Sequence, residues 1–398
     1  MLSGHIALAV ASSLVILWIM FDAFELMLLP RRVTWPLRFP RVFFRATWGF
    51  WRALALRLRA GKRREVFLSI YGPLSLVSLL GVWVAMLIVS FGFLHWALAQ
   101  GRPASPSFES ALYLSGVTFF TLGYGDVLPR SALEKAAAVA EAGMGLGLIA
   151  IIIGYLPVLY QLFSRREAQI IRLDVRAGSP PTATTLLVRY AEGLRLDALD
   201  ALLAEWELWA AELLESQLSY PMLAFYRSQQ PDESWLAALT TTMDLCALIL
   251  VGFRDVNTFQ ARVTFGTARL ALMEMGRLFT PDEILPGANP VSPPRLSSPE
   301  FRRLHQTLLD AGLDFSFAAA TTSSVATDIG PLGETGGVER ELAKFRATYE
   351  PYAQALAGHL LLQLPAWVAP AGQLDNWQRS ESAHTIKRLV EGVEAQPK

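Results

Sequence analysis

Six consecutive residues carry the most distinctive chemistry of the chain, the run TLGYGD at 121–126. Gly123 and Gly125 tolerate positive φ, which side chains disfavour, so the run can turn successive backbone carbonyl oxygens toward one axis. A ring of such oxygens replaces the hydration shell of a cation such as potassium. The run therefore predicts an ion-binding site made of main-chain oxygens.

The segments on either side of this run favour that interpretation over an ordinary glycine-rich turn. Residues 107–120 form an apolar stretch of about 14 residues, too short to cross a bilayer and suited to a re-entrant helix. Irregular backbone at membrane depth is tolerated only where it is buried in protein or lines a watery cavity. A short helix, a polar loop and a long apolar span meet that condition.

The run resembles the selectivity filter of the potassium channel family, whose usual form is Thr-Val-Gly-Tyr-Gly-Asp. The resemblance implies that the permeant potassium ion is bound by oxygens of Thr121, Leu122, Gly123, Tyr124 and Gly125. It also implies that Asp126 holds the outer mouth and attracts cations. Leu122 is the departure from the pattern, and a γ-branched leucine fills a different space from valine. No ratio of potassium to sodium selectivity follows from the sequence.

The apolar segment after the run contains two candidate gating residues, Gly145 and Pro157. In the resembled family a glycine about 20 residues beyond the filter often acts as a hinge of the inner helix, and Gly145 has that separation. Close packing of helices explains a glycine equally well. Pro157 removes a helix hydrogen bond, so it either bends the helix or marks the end of the span.

A single filter-like run means that one chain cannot close a ring of oxygens. The sequence predicts a homotetramer, since cyclic symmetry is the simplest closure. An ion-transporter component is disfavoured, because such proteins usually repeat the filter segment within one chain. We expect no cofactor and no metal other than the permeant potassium ion.

Composition indicates a membrane protein, with 53% hydrophobic and 18% charged residues and a mean hydropathy of +0.34. Three stretches are long enough to cross the bilayer, at about 5–29, 67–99 and 132–163. The first lacks the basic start and cleavage site of a signal peptide, so we expect a retained span. Its two acids, Asp22 and Glu25, either reach the interface or pair with arginines of the following loop.

The loop between the first two spans sets the orientation. Residues 31–64 contain ten arginines, one lysine and no acidic residue. Positive loops stay cytoplasmic, so we expect a multi-pass protein of the cytoplasmic membrane, with its N-terminus outside and its C-terminal domain in the cytoplasm. Interleaved aromatics indicate an amphipathic helix on anionic lipids rather than a nucleic-acid-binding arm.

The predicted fold is an all-α membrane protein with three transmembrane helices, a re-entrant pore helix and filter loop, and a helical cytoplasmic domain. The predicted divisions are an N-terminal span (1–30), a basic linker (31–65), a pore module (66–163) and a cytoplasmic domain (164–398). Helical patterns are expected in that domain at 184–218, 234–251, 261–279 and 298–313, with a last pair ending near Leu364. The apolar segment 234–251 contains Asp244, which favours a buried core helix over a fourth span.

Nothing in the sequence predicts catalysis. The glycine-rich turn of a Rossmann domain is missing, the five histidines lack metal-ligand spacing, and Cys246 lies in an apolar helix. Residues 220–227 (YPMLAFYR) either line a pocket for a cytoplasmic ligand of unknown identity or pack between helices. We predict a potassium channel subunit whose cytoplasmic domain gates or assembles it; the alternative is a non-conducting membrane sensor or scaffold with channel architecture.

Overall fold

The computed structural model describes residues 2–28, 39–100, 105–193, 198–229, 233–252, 258–280, 294–313 and 334–370. In these ranges every regular element is a helix, which confirms the predicted all-α class. The chain divides into two compact units, Met1–Leu162 and Phe163–Lys398.

Four helices lie wholly in the first unit and a fifth begins there. They are α1 Leu2–Leu28, α2 Phe39–Arg57, α3 Lys62–Ala99, α4 Phe108–Phe119 and α5 Ala132–Ala177. Of these, α1, α3 and α5 are long and apolar enough to cross a membrane, and they cover the three predicted spans.

The first span packs along α3, and one contact between them is polar. The indole Nε1 of Trp83 donates a hydrogen bond of 3.1 Å to Oδ2 of Asp22, and both side chains are buried. Glu25, one turn further along α1, is also buried. Asp22 therefore does not depend on reaching the interface, because a neighbouring helix supplies a donor for its carboxylate.

The basic linker forms the predicted helix, α2, which packs on the start of α3 through aromatic side chains. Trp51 stacks on Phe67 with ring centroids 4.4 Å apart, and Thr47 and Tyr71 share a hydrogen bond of 3.0 Å. Arg41, Arg45 and Arg57 are exposed on other sides of the helix. The ten residues before α2, at 29–38, lie outside the described ranges.

Both long helices contain a proline that does not end them. Pro73 lies inside α3 and Pro157 inside α5. The third predicted span ends near residue 163, and α5 continues past it to Ala177 as a polar extension that begins near Arg165.

The second unit contains the helices that follow α5. They are α6 Ala183–Glu192, α7 Leu199–Ser219, a 3-10 helix Pro221–Phe225, α8 Trp235–Gly252, α9 Phe259–Phe279, α10 Ser298–Asp310, α11 Glu334–Ala347 and α12 Glu350–Leu360. These match the helical segments predicted for this part of the chain. The segments 281–293, 314–333 and 371–398 lie outside the described residues. The sequence of residues 318–337 predicts weak order, but the described end of this stretch is helical, because α11 begins at Glu334.

The centre of the second unit is α8. This helix has the length and hydropathy of a membrane span, but every one of its residues except Leu250 is buried. Its neighbours are α6, α9 and α11. The prediction of a buried core helix is confirmed.

One buried ion pair holds α8 to the segment before α10. Arg295 donates to both carboxylate oxygens of Asp244, at 3.2 and 2.5 Å, and both side chains are nearly fully buried. Tyr349 also donates to Asp244. Burial, together with the charge of Asp244, raises the pKa of Tyr349 well above its ordinary value, so its phenol keeps the proton that it donates.

The turn at residues 220–227 packs between helices. Leu223 and its neighbours in the 3-10 helix are buried. Arg166 donates to the carbonyl oxygens of Leu223 and Tyr226, each at 2.8 Å, and Arg227 donates to the carbonyl oxygens of Leu360 and Leu361. Between the two interpretations, the packing of this turn favours a structural role.

Candidate ion-conducting site

The short helix before the filter run begins with a side-chain cap. Ser107 is the N-cap of α4, and its hydroxyl oxygen accepts a hydrogen bond of 3.2 Å from the backbone N–H of Ser110. The helix has 12 residues. At 1.5 Å per residue it is about 18 Å long, well short of the roughly 30 Å of a hydrocarbon core. Its length suits a re-entrant helix.

Close packing holds α4 against α3. A Cβ atom on Gly92 would lie 3.1 Å from Cα of Leu112, so the two helices approach at backbone distance. The rings of Phe93 and Phe108 stack with centroids 4.5 Å apart. The hydroxyl of Ser115 donates to the carbonyl oxygen of Ile88 at 2.8 Å. These contacts fix the direction in which α4 delivers the chain to the filter run.

The same helix also meets α5, at two points spaced one helical turn apart. A Cβ atom on Gly145 would lie 2.4 Å from the carbonyl oxygen of Phe119. Four residues earlier on each helix, Ser115 is hydrogen bonded to Glu141. Because the two contacts advance together along both chains, α4 and α5 run in the same direction where they meet.

The filter run leaves α4 through backbone hydrogen bonds to the last turn of the helix. The N–H of Thr121 donates to the carbonyl oxygen of Thr118 at 3.0 Å, and the N–H of Leu122 donates to that of Val117 at 2.8 Å. These bonds satisfy carbonyls that a helix end leaves free.

The sign of the backbone angle φ alternates from residue to residue along the run. Thr121, Gly123 and Gly125 have φ of 56°, 62° and 79°, whereas Leu122 and Tyr124 do not have positive φ. The two glycines thus have the positive φ that the sequence predicts for them, and a row of carbonyl ligands facing one axis requires this freedom of the backbone.

The side chains of the run have little cover within a single chain. Leu122 is 54% exposed and Tyr124 is 69% exposed. The resemblance implies that Leu122 packs against the pore helix, but α4 of the same chain does not cover it. An apolar and an aromatic side chain left open beside a polar loop need another protein surface to bury them.

The outer end of the run contacts α4 through Asp126. The phenol of Tyr113 hydrogen-bonds to the carboxylate of Asp126. Tyr113 lies on α4, two turns before the first filter residue. The predicted role of Asp126 in holding the mouth stays a prediction, and Tyr113 is a partner that the sequence did not indicate. An aromatic hydroxyl on α4, two turns before the first filter residue, would have been a usable signal.

The two candidate gating residues lie in different surroundings on α5. Gly145 touches the backbone of Phe119, which gives it a packing role whether or not it also bends. Pro157 lies inside the continuous helix, so it does not mark the end of α5. The hinge at Gly145 and the bend at Pro157 remain predictions.

The described residues offer no alternative chemistry based on a metal. They contain no group of three or more histidine, cysteine, aspartate or glutamate side chains placed to hold an ion. Cys246 is buried in α8. The first unit instead contains the short helix α4, a run in which the sign of φ alternates, and the long apolar helix α5.

Comparison with known proteins agrees with this geometry. Residues 79–161 match the profile of a family described as an ion channel. This segment is therefore similar to the ion-channel family. It covers most of α3, all of α4, the filter run and the apolar part of α5. The recognition made from the filter run is thereby confirmed for this part of the chain, and a channel module points away from an enzyme.

A relative shares part of the chain's length. It is the "Uncharacterized membrane protein YdjJ" of Bacillus subtilis (strain 168), 26% identical over 212 residues, which are 52% of this chain and 60% of the relative. The chain thus matches less than two thirds of that protein, whose name describes only a membrane location. No solved structure matches the chain.

Proposed function

We propose that the chain is the subunit of a potassium-selective channel in which four copies place their filter runs around one axis. The positive φ of Gly123 and Gly125 carries the proposal, because a row of carbonyl ligands facing one axis requires this freedom of the backbone. Thr121, Leu122, Gly123, Tyr124 and Gly125 are the proposed ion-binding residues. Potassium loses its water shell to their oxygens and passes without any covalent step.

The surfaces left open by a single chain support assembly around an axis. Leu122 and Tyr124 are largely exposed beside the filter backbone. On α5, Gly143, Gly147 and Gly154 have no side-chain or backbone neighbour within 4 Å, so one face of this helix is free for close approach by another helix. Four identical copies would cover both surfaces.

The orientation and lipid partner of the channel follow from the basic linker. We propose that α2 lies on the cytoplasmic leaflet, which places the filter mouth outside and the C-terminal unit in the cytoplasm. Exposed Arg41, Arg45 and Arg57 would bind anionic headgroups, while exposed Val42 and Phe50 reach the acyl boundary. Replacing the three arginines by glutamine should weaken the binding of anionic lipid, and replacing them by lysine should not.

The C-terminal unit is proposed to assemble or gate the pore. Its helix α5 begins in the pore module and continues to Ala177 without interruption. The stimulus that this unit would sense is a cytoplasmic ligand of unknown identity. Nucleic acid is not among the proposed partners.

Single-channel recording in planar bilayers with mixed potassium and sodium tests the proposal. The full chain should give discrete currents that reverse near the potassium equilibrium potential. Gly123→Ala should abolish them, because alanine is strained at positive φ. Gly116→Ala is the matched control on α4, since its Cβ would meet only Ile88 at 4.0 Å. Folded wild-type tetramer without potassium current would reject the proposal in favour of a non-conducting sensor.

A further inference from the structure

Three polar side chains meet inside the pore module, one from each helix that surrounds the filter's base. They are His95 on α3, Ser115 on α4 and Glu141 on α5, with exposed fractions of 2%, 0% and 0%. Nε2 of His95 lies 2.8 Å from Oε2 of Glu141, and the hydroxyl of Ser115 is hydrogen bonded to Oε1 of Glu141. Among the described residues no lysine or arginine pairs with Glu141, and His95 is the basic side chain that contacts it.

The proton of Ser115 decides which group donates in this cluster. A serine hydroxyl has one hydrogen. The hydroxyl lies 2.8 Å from the carbonyl oxygen of Ile88, which can only accept, so its hydrogen belongs to that bond. The contact between Ser115 and Oε1 of Glu141 then requires a hydrogen from the glutamate. A carboxylic acid supplies it, whereas a carboxylate would oppose two lone pairs.

The histidine ring gives the same answer independently. Nδ1 of His95 is buried without any hydrogen-bond partner. A neutral imidazole with its hydrogen on Nε2 donates to Oε2 of Glu141 and leaves only an unpaired acceptor at Nδ1. A charged imidazolium would instead bury an N–H without an acceptor, which is costly in an apolar interior. A neutral His95 cannot offset a charge on Glu141, and a buried carboxylate without a counter-charge is costly, so the uncharged acid fits both contacts.

We propose that Glu141 is held as a neutral carboxylic acid, with its proton on Oε1 toward Ser115, and that it positions the pore helix against the inner helix. The proton chain runs from Glu141 to Ser115 to the carbonyl oxygen of Ile88, and His95 donates to the other carboxyl oxygen. The positioning part of this inference rests on the proposed channel function. The protonation part does not, because it concerns the folded chain alone.

The position of Glu141 along α5 explains why its proton matters for the filter. It lies one turn before Gly145, whose backbone touches Phe119 at the end of α4. Ser115 likewise lies one turn before Phe119. The neutral cluster and the glycine contact together fix both the depth and the rotation of α4 relative to α5, and α4 ends at the first filter residue.

Infrared difference spectroscopy on the full chain in lipid vesicles tests the protonation directly. Subtracting the spectrum of Glu141→Gln from that of the wild type should leave the carbonyl band of a protonated carboxylic acid at neutral pH. Glu109→Gln is the control, because Glu109 is exposed on the first turn of α4. If the difference spectrum contains only carboxylate bands, the inference is wrong. This result is obtained whether or not the protein conducts.

Conduction then tests the positioning role by rescue. Glutamine has the shape of glutamic acid and can reproduce both contacts, with its N–H₂ donating to Ser115 and its oxygen accepting from His95. Glu141→Gln should keep open probability within about twofold of the wild type, whereas Glu141→Ala and Ser115→Ala should lower it by about fivefold or more. Thermal unfolding of each variant identifies any that fail to fold. A glutamine variant as impaired as the alanine variant, yet still folded, would overturn the inference.

Discussion

Gly145 of the inner helix lies against the main chain of Phe119, close enough that a methyl group on the glycine would overlap the carbonyl oxygen of the phenylalanine at 2.4 Å. Phe119 is the last residue of α4 and is fully buried. The pore helix and the inner helix therefore meet by backbone rather than by side chains just before the filter begins. Of the two roles weighed for Gly145, the contact accounts for close packing without any bending of α5.

Gly145→Ala should damage the pore through this contact. The added methyl group must displace α4 or α5, and overpacking of a tight interface costs about 1–3 kcal/mol. We expect a lower thermal unfolding temperature and loss of potassium current. Gly81→Ala on α3 is the matched control, because its Cβ would meet nothing within 4 Å. Equal behaviour of the two variants would mean that the contact is relaxed in the assembled protein.

Tyr113 and Asp126 should act as a pair at the mouth of the filter. Tyr113→Phe removes the phenolic hydroxyl and Asp126→Asn removes the charge, so each variant loses the hydrogen bond between the two side chains. Each variant should shorten the open time of single channels. A double-mutant cycle checks the coupling, since the double variant should be no worse than Asp126→Asn. Strictly additive effects would separate the two residues.

The sequence predicted the helices of the pore module well because hydropathy and length indicated the same boundaries. The apolar run at 107–120 forms α4, and the glycines at 123 and 125 fall where the backbone has positive φ. The cap that Ser107 provides was not predicted. The polar continuation of α5 to Ala177 was not predicted either, because hydropathy indicates where an apolar span ends and not where its helix ends.

The polar contacts between helices could not be predicted in the same way. His95, Ser115 and Glu141 are far apart in sequence, and their meeting depends on how three helices are rotated. An acid inside an apolar span is a usable warning, since its cost demands a partner. Glu141 is such an acid, since it lies in the third apolar stretch. Its partners could not be predicted, because hydropathy carries no information about how each helix is rotated about its axis.

Trp83 should be needed to keep Asp22 satisfied inside the membrane unit. Trp83→Phe removes the donor at 3.1 Å and weakens the hydrogen bonding of a buried carboxylate, at a cost of about 1–3 kcal/mol. We expect a lower unfolding temperature in detergent, and Asp22→Asn in the same background should recover part of the loss by removing the charge. Trp18→Phe is the control, because Trp18 is 44% exposed on α1. A loss in the control equal to that of Trp83→Phe would assign the effect to ring size.

The ion pair of Arg295 with Asp244 should be the most sensitive polar contact of the second unit. Arg295→Met leaves a buried carboxylate with Tyr349 as its remaining donor, and removing one partner of a buried pair costs about 3–5 kcal/mol. The double variant Arg295→Met/Asp244→Leu should be more stable than the single one, because it removes the stranded charge as well. Arg277→Met provides the matched control, since Arg277 pairs with Glu274 on an exposed surface where such pairs contribute about 0–1 kcal/mol. Denaturant unfolding of the full chain measures all three. If Arg295→Met unfolds no earlier than Arg277→Met, α8 is held by apolar packing alone and the ion pair adds no stability.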